Sequence, residues 1–456
     1  MSYEKLNEKM LEMKDEIMQS IKENVAIYSL KAEPEENAPY GKAIKECLDQ
    51  TLALGERLGF KTGNVDNKVG WIEFGEGEEM VGVLGHLDVV PLGEGWDYDP
   101  LGCEIVDGKM YGRGVLDDKG PTIGAIYAMK AIRDLGLPIG RRIRVLFGCD
   151  EENGSSCVQH YIEVGGELPT IGFTPDAEYP VIFCEKGQTF WEVTKKVENP
   201  SVIKVLSIEG CTAKKVVTPK CSMVVEGDLD FKATDAIAVS KEDGKTILIS
   251  NGRGAHGSTP HLGVNAAIQL FAALKEQGID LGGDLQKMAD FVLEKIGSET
   301  KGESLGACWE DEETGDTSCN FGVIKCTPEE LFFTLDIRYP QNADQQLLVE
   351  NVKKAAAEYG LTAEIEQTGR LVYVPKDSEL VQKLMKVYRE ETGGTEEPLA
   401  IGGGTYAKAF DNMVAFGPIF PGDPEVIHQP NEYAEVDKLM TSFQIVAAAM
   451  YELAQK

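Results

Sequence analysis

The stretch Val81 to Pro91, VGVLGHLDVVP, places an imidazole and a carboxylate two residues apart. In an extended chain such residues point the same way, so His86 and Asp88 share a side. A carboxylate beside an imidazole selects which ring nitrogen is left to bind a metal. Asp117 and Asp118 stand just before a run of small residues, in Gly112-Arg113-Gly114-Val115-Leu116-Asp117-Asp118-Lys119-Gly120. Glu151 and Glu152 follow the apolar run Arg142 to Cys149, and Asp176 follows Pro169 to Thr174. His428 comes shortly after Pro421-Gly422-Asp423-Pro424. Mixed His/Asp/Glu sets suit Zn²⁺, with Mn²⁺ or Co²⁺ as alternatives. So many anionic ligands exceed the need of one zinc. Two ions about 3.5–4 Å apart, sharing one carboxylate, would use them all.

Singly, each residue has a plainer explanation. Asp117 and Asp118 would serve as helix N-caps. Glu151 and Glu152 would serve as partners of a helix dipole in its first turn. Asp176 would cap a turn after Pro175, and His428 would be a lone loop histidine. Taken together they are harder to dismiss, because the chain has only five histidines and two fall in this set.

The elements that must position these groups follow from periodicity. Val81 to Leu84 is apolar and uncharged, as a buried strand is. Arg142 to Cys149, Pro169 to Thr174 and Met413 to Phe416 read as further strands. Helices are expected over 3–25, where Leu6, Met10, Met13, Ile17 and Ile21 recur at spacings of three and four. Others are expected up to Leu58, over Thr122 to Leu135, after Ser156, over Ser378 to Thr392 and over Glu435 to Leu453. Strands alternating with helices predict a mostly parallel sheet. In such sheets ligands bind beyond the carboxyl ends of the strands, where His86, Glu151, Glu152 and Asp176 all fall. After Gly187 the pattern changes to strands, then helices near 264–276, 284–296 and 344–359, as in a ferredoxin-like α+β unit. The expected organisation is an α/β catalytic domain over 1–187 and 371–456, with an α+β domain inserted over 188–370.

The chain has 456 residues and a net charge of −31. That charge argues against nucleic acid, since nothing would neutralise a phosphate backbone. None of the ten cysteines forms a Cys-x-x-Cys pair, so they read as reduced thiols. The start MSYEKLNEKM is a charged helix start rather than a signal peptide, and no apolar run approaches a membrane span. A cytoplasmic protein with no membrane partner is the expectation.

GHLDVVP, YGRGVLDDKGP, CDEENGSS, TPDAEYPVIFCEKG and IHQPNE resemble the M20 family of metallopeptidases, and within it the dipeptidase V branch of dinuclear-zinc dipeptidases. The resemblance runs from the first helix to the last. It implies a zinc-peptidase fold with the inserted domain as a lid. It also implies that His86, Asp117 and Asp176 hold one zinc, with Asp117 bridging, and that Glu152 and His428 hold the other. Glu151 matches the general base, and Asp88 the partner of His86. The Asp117–Asp118 peptide is expected to be cis, a form rare for non-proline bonds. From the inserted domain, His256 matches a residue that polarises the scissile carbonyl. Arg338 matches one that grips the substrate's carboxylate, for which a guanidinium fork is well shaped. The loop Gly402-Gly403-Gly404-Thr405 matches one whose amides, at a helix start, favour an anion; Gly403, Gly404 and Thr405 are its substrate-binding candidates. Without the resemblance, His256 would be a surface loop histidine, Arg338 an ordinary strand-end arginine and this loop a plain turn. There is one departure: in Cys211-Thr212-Ala213-Lys214-Lys215-Val216-Val217-Thr218-Pro219, Lys215 stands where the branch has Asn.

The activity implied is hydrolysis of dipeptides by a monomer, with a homodimer as the alternative. The competing readings are an M20 deacylase of N-acyl amino acids, a non-catalytic metal-bound peptide-binding protein, and a storage or structural protein.

Overall fold

The computed structural model describes residues 3–211 and 213–455; Thr212, in the segment that departs from the family pattern, lies outside the described residues. The chain forms two compact units. The first runs to Cys184 and resumes over Val372–Leu399 and from Gly404 onward. The second comprises Glu185–Leu371 and Ala400–Gly403. The short return segment packs with the second unit, where Ile401 O accepts the Lys186 N–H at 3.0 Å.

The first unit is built on a sheet whose strand order is Lys61–Val65, Val69–Phe74, Arg142–Gly148, Met80–His86, Ile171–Thr174, Met413–Ala415, Ile182–Glu185 and Val372–Tyr373. The four strands from Arg142–Gly148 to Met413–Ala415 are parallel. Antiparallel pairs flank them. Every residue of Met80–His86 and Arg142–Gly148 is buried. That continuous burial is what a parallel strand covered on both faces requires, and it explains the unbroken apolar run at 81–84. Arg142 and Arg144 are tolerated there because Glu73 and Glu167 accept their hydrogen bonds. The parallel centre brings the carboxyl ends of its strands to one edge, so His86, the residues after Gly148 and those after Thr174 meet there.

The helix Lys119–Asp134 buries thirteen of its sixteen residues. Its small side chains allow that close approach, and its main helical neighbour is Val436–Ala454. The stripe expected as one helix over 3–25 is two helices, Glu4–Glu12 and Lys14–Val25, interrupted at Met13. Leu6, Met10, Met13, Ile17 and Ile21 all stay buried across the interruption, so periodicity alone reads straight through it. No described helix is long and apolar enough to cross a membrane.

The second unit is an α+β structure on an eight-stranded antiparallel sheet, with order Ile237–Glu242, Lys245–Asn251, Lys220–Glu226, Val205–Gly210, Ser318–Cys326, Glu330–Tyr339, Gly187–Lys196 and Thr362–Gly369. Met223, Leu248, Phe333 and Leu335 of its strands share one core with Leu270, Phe271, Met288, Phe291, Leu348 and Val352 of its helices. Two of those helices, Ala266–Glu276 and Gln345–Glu358, are N-capped by the side chains of Asn265 and Asp344.

Candidate metal centre

His86 ends its strand with no solvent exposure. Its backbone N–H donates to Asp118 Oδ2 at 3.0 Å, and the Thr122 hydroxyl donates to the same oxygen. A side chain on Gly85 would collide with both partners, since a Cβ there would sit 2.0 Å from Thr122 Oγ1 and 2.6 Å from Asp118 Oδ2. The glycine before His86 is therefore what lets Asp118 reach the strand end. Asp118 is the residue before the Lys119–Asp134 helix, but its side chain caps no helical N–H. The N-cap explanation of this aspartate fails, because both recorded hydrogen bonds of Oδ2 come from His86 and Thr122.

The ring of His86 is oriented by its neighbour, though not as the sequence suggests. His86 Nδ1 donates to the backbone carbonyl of Asp88 at 3.0 Å, while the Asp88 carboxylate lies at 3.6 Å. That carboxylate accepts the backbone N–H groups of Glu151 (3.0 Å) and Glu152 (3.1 Å). Asp88 thus joins two strand ends: its carbonyl fixes the histidine, and its carboxylate fixes the acidic turn. With Nδ1 engaged, Nε2 faces Asp117 Oδ1 at 3.1 Å and Asp176 Oδ2 at 3.7 Å.

The two oxygens of Asp117 face different imidazoles. Oδ1 meets His86, and Oδ2 meets His428 Nε2 at 2.9 Å. His428 Nε2 also lies 3.1 Å from Glu152 Oε1. His428 is half exposed and takes a left-handed backbone conformation, φ +61°. The Asp117–Asp118 peptide is cis, as the resemblance implied. Glu151 and Glu152 precede the Ser156–Glu163 helix rather than forming its first turn, which carries no acid, so the dipole explanation does not hold for them. His86, Glu151 and Asp176 offer donor atoms within 4.8 Å of one another, and so do His86, Asp117 and Glu152.

The electrostatics are those of a cluster short of positive charge. Hydrogen bonds to Asp117 and Glu152 push His428 up to about 10. Burial works against a charged His86, but Asp117, Asp176 and Asp88 outweigh it and raise its pKa well above the ordinary range. Burial would raise Asp117 too, yet the bonds from His428 and His86 hold it well below the usual carboxylate range. Asp176 has no such bond, so burial and the charge of Asp117 push it far up. Burial brings Glu151 up to about 7, helped by Glu152 and Asp88 and opposed by His86. Burial likewise lifts Asp88 to about 6. The cluster takes up protons where its acids lack a counter-charge, and its oxygen and imidazole donors are those that hold zinc.

The second unit carries the remaining candidates. Arg338 is buried. Its Nε and Nη2 donate to Asp336, with Nη2 at 2.8 Å, and its Nη1 donates to Gly402 O at 2.6 Å. Asp336 also accepts Gln188 Nε2 at 2.9 Å. His256 is exposed, with Nδ1 2.7 Å from Ser258 Oγ. Lys215 is exposed as well; its backbone carbonyl accepts the Gly257 N–H at 2.7 Å, and its ammonium lies 5.5 Å from the Phe190 ring centroid. Gly403 belongs to this unit, whereas Gly404 and Thr405 belong to the first. The Thr405 side chain caps the single 3₁₀ turn Tyr406–Ala409 by accepting the Ala407 N–H. Four residues are too few for the helix-end field expected of this loop.

Three residues of the first unit escaped the sequence reading. For the Asp118 side chain the sequence suggests only a cap, and its bonds to His86 N–H and the Thr122 hydroxyl are not foreseen. Tyr406 packs its ring edge-on to His86, with centroids 6.2 Å apart. Its hydroxyl occupies the space left by Gly148, where a Cβ would lie 1.8 Å from it. Glu432, in the IHQPNE motif, is fully buried against the Asp117 loop. Its place in the IHQPNE motif is the one signal of Glu432 in the sequence.

A family model described as Peptidase family M20/M25/M40 matches residues 82–452. The chain is 36% identical over 433 residues to "Putative dipeptidase YtjP" of Bacillus subtilis, covering 91% of this chain and 92% of that one. It is 33% identical over 466 residues to "Putative dipeptidase SH1171" of Staphylococcus haemolyticus, covering 98% of each. Its fold is similar to that of human carnosine dipeptidase 1, with a TM-score of 0.59 at 17% identity over 100% of this chain and 99% of the other. It is also similar to that of the di-peptidase Dug1p from Saccharomyces cerevisiae, with a TM-score of 0.60 at 15% identity over 99% and 98%.

Proposed function

Because the chain belongs to the M20/M25/M40 peptidase family, we propose that it is a dipeptidase whose first unit holds two zinc ions. The observation that supports this most is the division of Asp117 between His86 and His428, one oxygen to each. Each end has a further carboxylate, Asp176 beside His86 and Glu152 beside His428. In this reading His86, Asp117 and Asp176 hold one ion, and Asp117, Glu152 and His428 hold the other. When bound, the ions would lower the pKa of a water and draw charge from the scissile carbonyl.

Glu151 does the proton work. In the metal-free centre burial raises its pKa to about 7, and its assigned task is to accept a proton and give it up again. It takes one proton from the water whose oxygen bonds to the carbonyl carbon. It then passes that proton to the amine nitrogen as the C–N bond breaks. Asp88 keeps Glu151 in place through the backbone N–H bonds of the acidic turn. In the second unit, Ser258 holds the ring of His256 at Nδ1, and His256 is assigned the carbonyl oxygen, to which an imidazole N–H would donate. Arg338, fixed by Asp336, is assigned the substrate's free carboxylate.

The test is a metal count on protein purified without added metal, paired with a small substrate panel. The panel holds L,L-dipeptides, β-alanyl-histidine, a tripeptide and an N-acetyl amino acid. About two zincs per chain with dipeptide turnover is the expected result. Turnover of the acetylated compound alone would replace the dipeptidase reading with a deacylase.

Arg338→Lys keeps the charge beside Asp336 but loses the fork. It should lower kcat/KM for dipeptides about 10²-fold, mainly through KM, and leave carboxyl-amidated dipeptides within about threefold. An equal loss on both would remove Arg338 from carboxylate binding.

The proton count gives a second expectation. In metal-free protein His428 has a folded pKa of about 10 against about 6.5 unfolded. The stability it contributes is full below about pH 6.5 and is lost as pH rises through 10. Glu151, raised to about 7 from an unfolded value of about 4.3, acts in the same direction over pH 4.3–7. Chelator-treated protein should therefore show a Tm that falls between about pH 6.5 and 10. Excess zinc should remove that fall, because metal displaces the protons. Thermal scans with chelator or zinc check this; a Tm that rises with pH in chelator would contradict it.

A further inference from the structure

Glu432 lies in the same segment as His428 and has no solvent exposure. Its Oε1 accepts three backbone N–H groups, from Gly114 (3.0 Å), Leu116 (3.1 Å) and Asp117 (3.3 Å). Its Oε2 accepts Arg113 Nη1 at 2.6 Å, and its backbone carbonyl accepts the Gly112 N–H at 3.0 Å. Arg113 is itself buried, and its Nη2 donates to Pro91 O at 3.2 Å, on the chain just beyond Asp88. The neighbouring Asn431 is bonded through its side chain to Asp97 N and Asp97 Oδ2, each at 2.8 Å.

We propose that Glu432 is a positioning residue that locks the His428 segment to the Asp117 loop, so that the two zinc positions form as one unit. This rests on the two-ion reading above. Asp117 is gripped twice from one short segment: His428 meets its carboxylate, and Glu432 meets its backbone. A shared carboxylate must present both oxygens at fixed angles, and a loop free to pivot about its own backbone would not do so. One carboxylate oxygen that collects the N–H groups of Gly114, Leu116 and Asp117 removes that freedom, and Arg113 holds the other oxygen in place. Arg113 carries the same lock to the segment after Asp88, so all three ligand-bearing stretches around His86, Asp117 and His428 are joined.

Two variants separate positioning from simple stability. Glu432→Asp keeps the buried charge opposite Arg113 but draws the acceptor oxygen away from the three N–H groups. Arg113→Met with Glu432→Gln keeps an acceptor oxygen at that place and removes both charges. The full-length protein is stripped with chelator and titrated with zinc against a chromophoric competitor. The Co²⁺-loaded forms are compared by their visible d–d absorption. Glu432→Asp should bind zinc about 10–100-fold more weakly than wild type, with an altered Co²⁺ spectrum. The double variant, which keeps an acceptor for the Asp117 loop but loses the Arg113 link to Pro91, should bind more weakly than wild type and more tightly than Glu432→Asp. Native affinity and spectrum in Glu432→Asp, or a double variant that loses as much as Glu432→Asp, would overturn the proposal. Wild-type protein that takes up no zinc would overturn the two-ion reading and this inference with it. Wild-type protein that takes up two zincs, together with either of those contrary variant results, would overturn this inference alone.

Discussion

Glu151→Gln should load zinc as wild type does and hydrolyse dipeptides about 10²–10⁴-fold more slowly, the range general acid–base catalysis supplies. The substitution is nearly isosteric, and the bond that places residue 151 comes from its backbone N–H to Asp88, which glutamine keeps. What is lost is the one acid in the cluster that burial brings to about 7 without a histidine hydrogen bond. Asp117 is engaged by two imidazoles, and Glu152 by His428. The effect should fall on kcat, because the group acts on the proton in flight rather than on bound substrate. Steady-state kinetics with a metal count on the same sample check it. Zinc loss equal to the activity loss would make Glu151 a ligand, and near-normal turnover would end its role as base.

Asp117→Asn should cost the protein most of its metal and all measurable turnover. Its amide nitrogen would replace one of the two oxygens that face His86 and His428, and that side would offer a donor where an acceptor is needed. Zinc content should fall from about two per chain to one or fewer, measured after dialysis against metal-free buffer. The metal-free variant offers a second readout. Asp117 is the first cause of the raised pKa of His428, so that histidine should return from about 10 toward about 6.5. Titration of its ring proton by NMR follows this directly. A His428 pKa left near 10 would mean that Glu152 alone sets it.

Much of this arrangement is legible in the chain because strands announce their ends. His86, Glu151 and Asp176 each follow an apolar run, and a parallel sheet brings such ends together by topology alone. The placement of His428 is harder to read. It sits in a loop after a short strand, where residue types alone make it one more candidate ligand, and the resemblance of IHQPNE is what pairs it with Glu152. The contacts that fix the geometry are less legible still. The Asp88 carboxylate bonds two backbone N–H groups that lie 63 and 64 residues away, and Glu432 bonds one that lies 315 away. A hydrogen bond to a peptide N–H places no demand on the residue type that donates it, so it leaves no pattern of spacing. The interruption at Met13 was hidden for a related reason: both helices bury the same stripe, and periodicity measures only the stripe.

The division of the first unit into segments on either side of Glu185–Leu371 has a consequence for the order in which the protein is made. His86, Asp117, Glu151 and Asp176 leave the ribosome before the second unit, and His428 and Glu432 leave after it. At about 5–20 residues per second, the roughly 240 residues from Glu185 to His428 occupy roughly 10–50 s. For that interval the nascent chain carries a concentration of acids with one imidazole and no Glu432 to brace the Asp117 loop. The second unit is complete in sequence once Gly403 is out, while the first still lacks everything from Gly404 onward. In the two-ion reading the centre is complete only after the second unit has been made, and a ribosome stalled between the two histidines would carry Asp117 without His428.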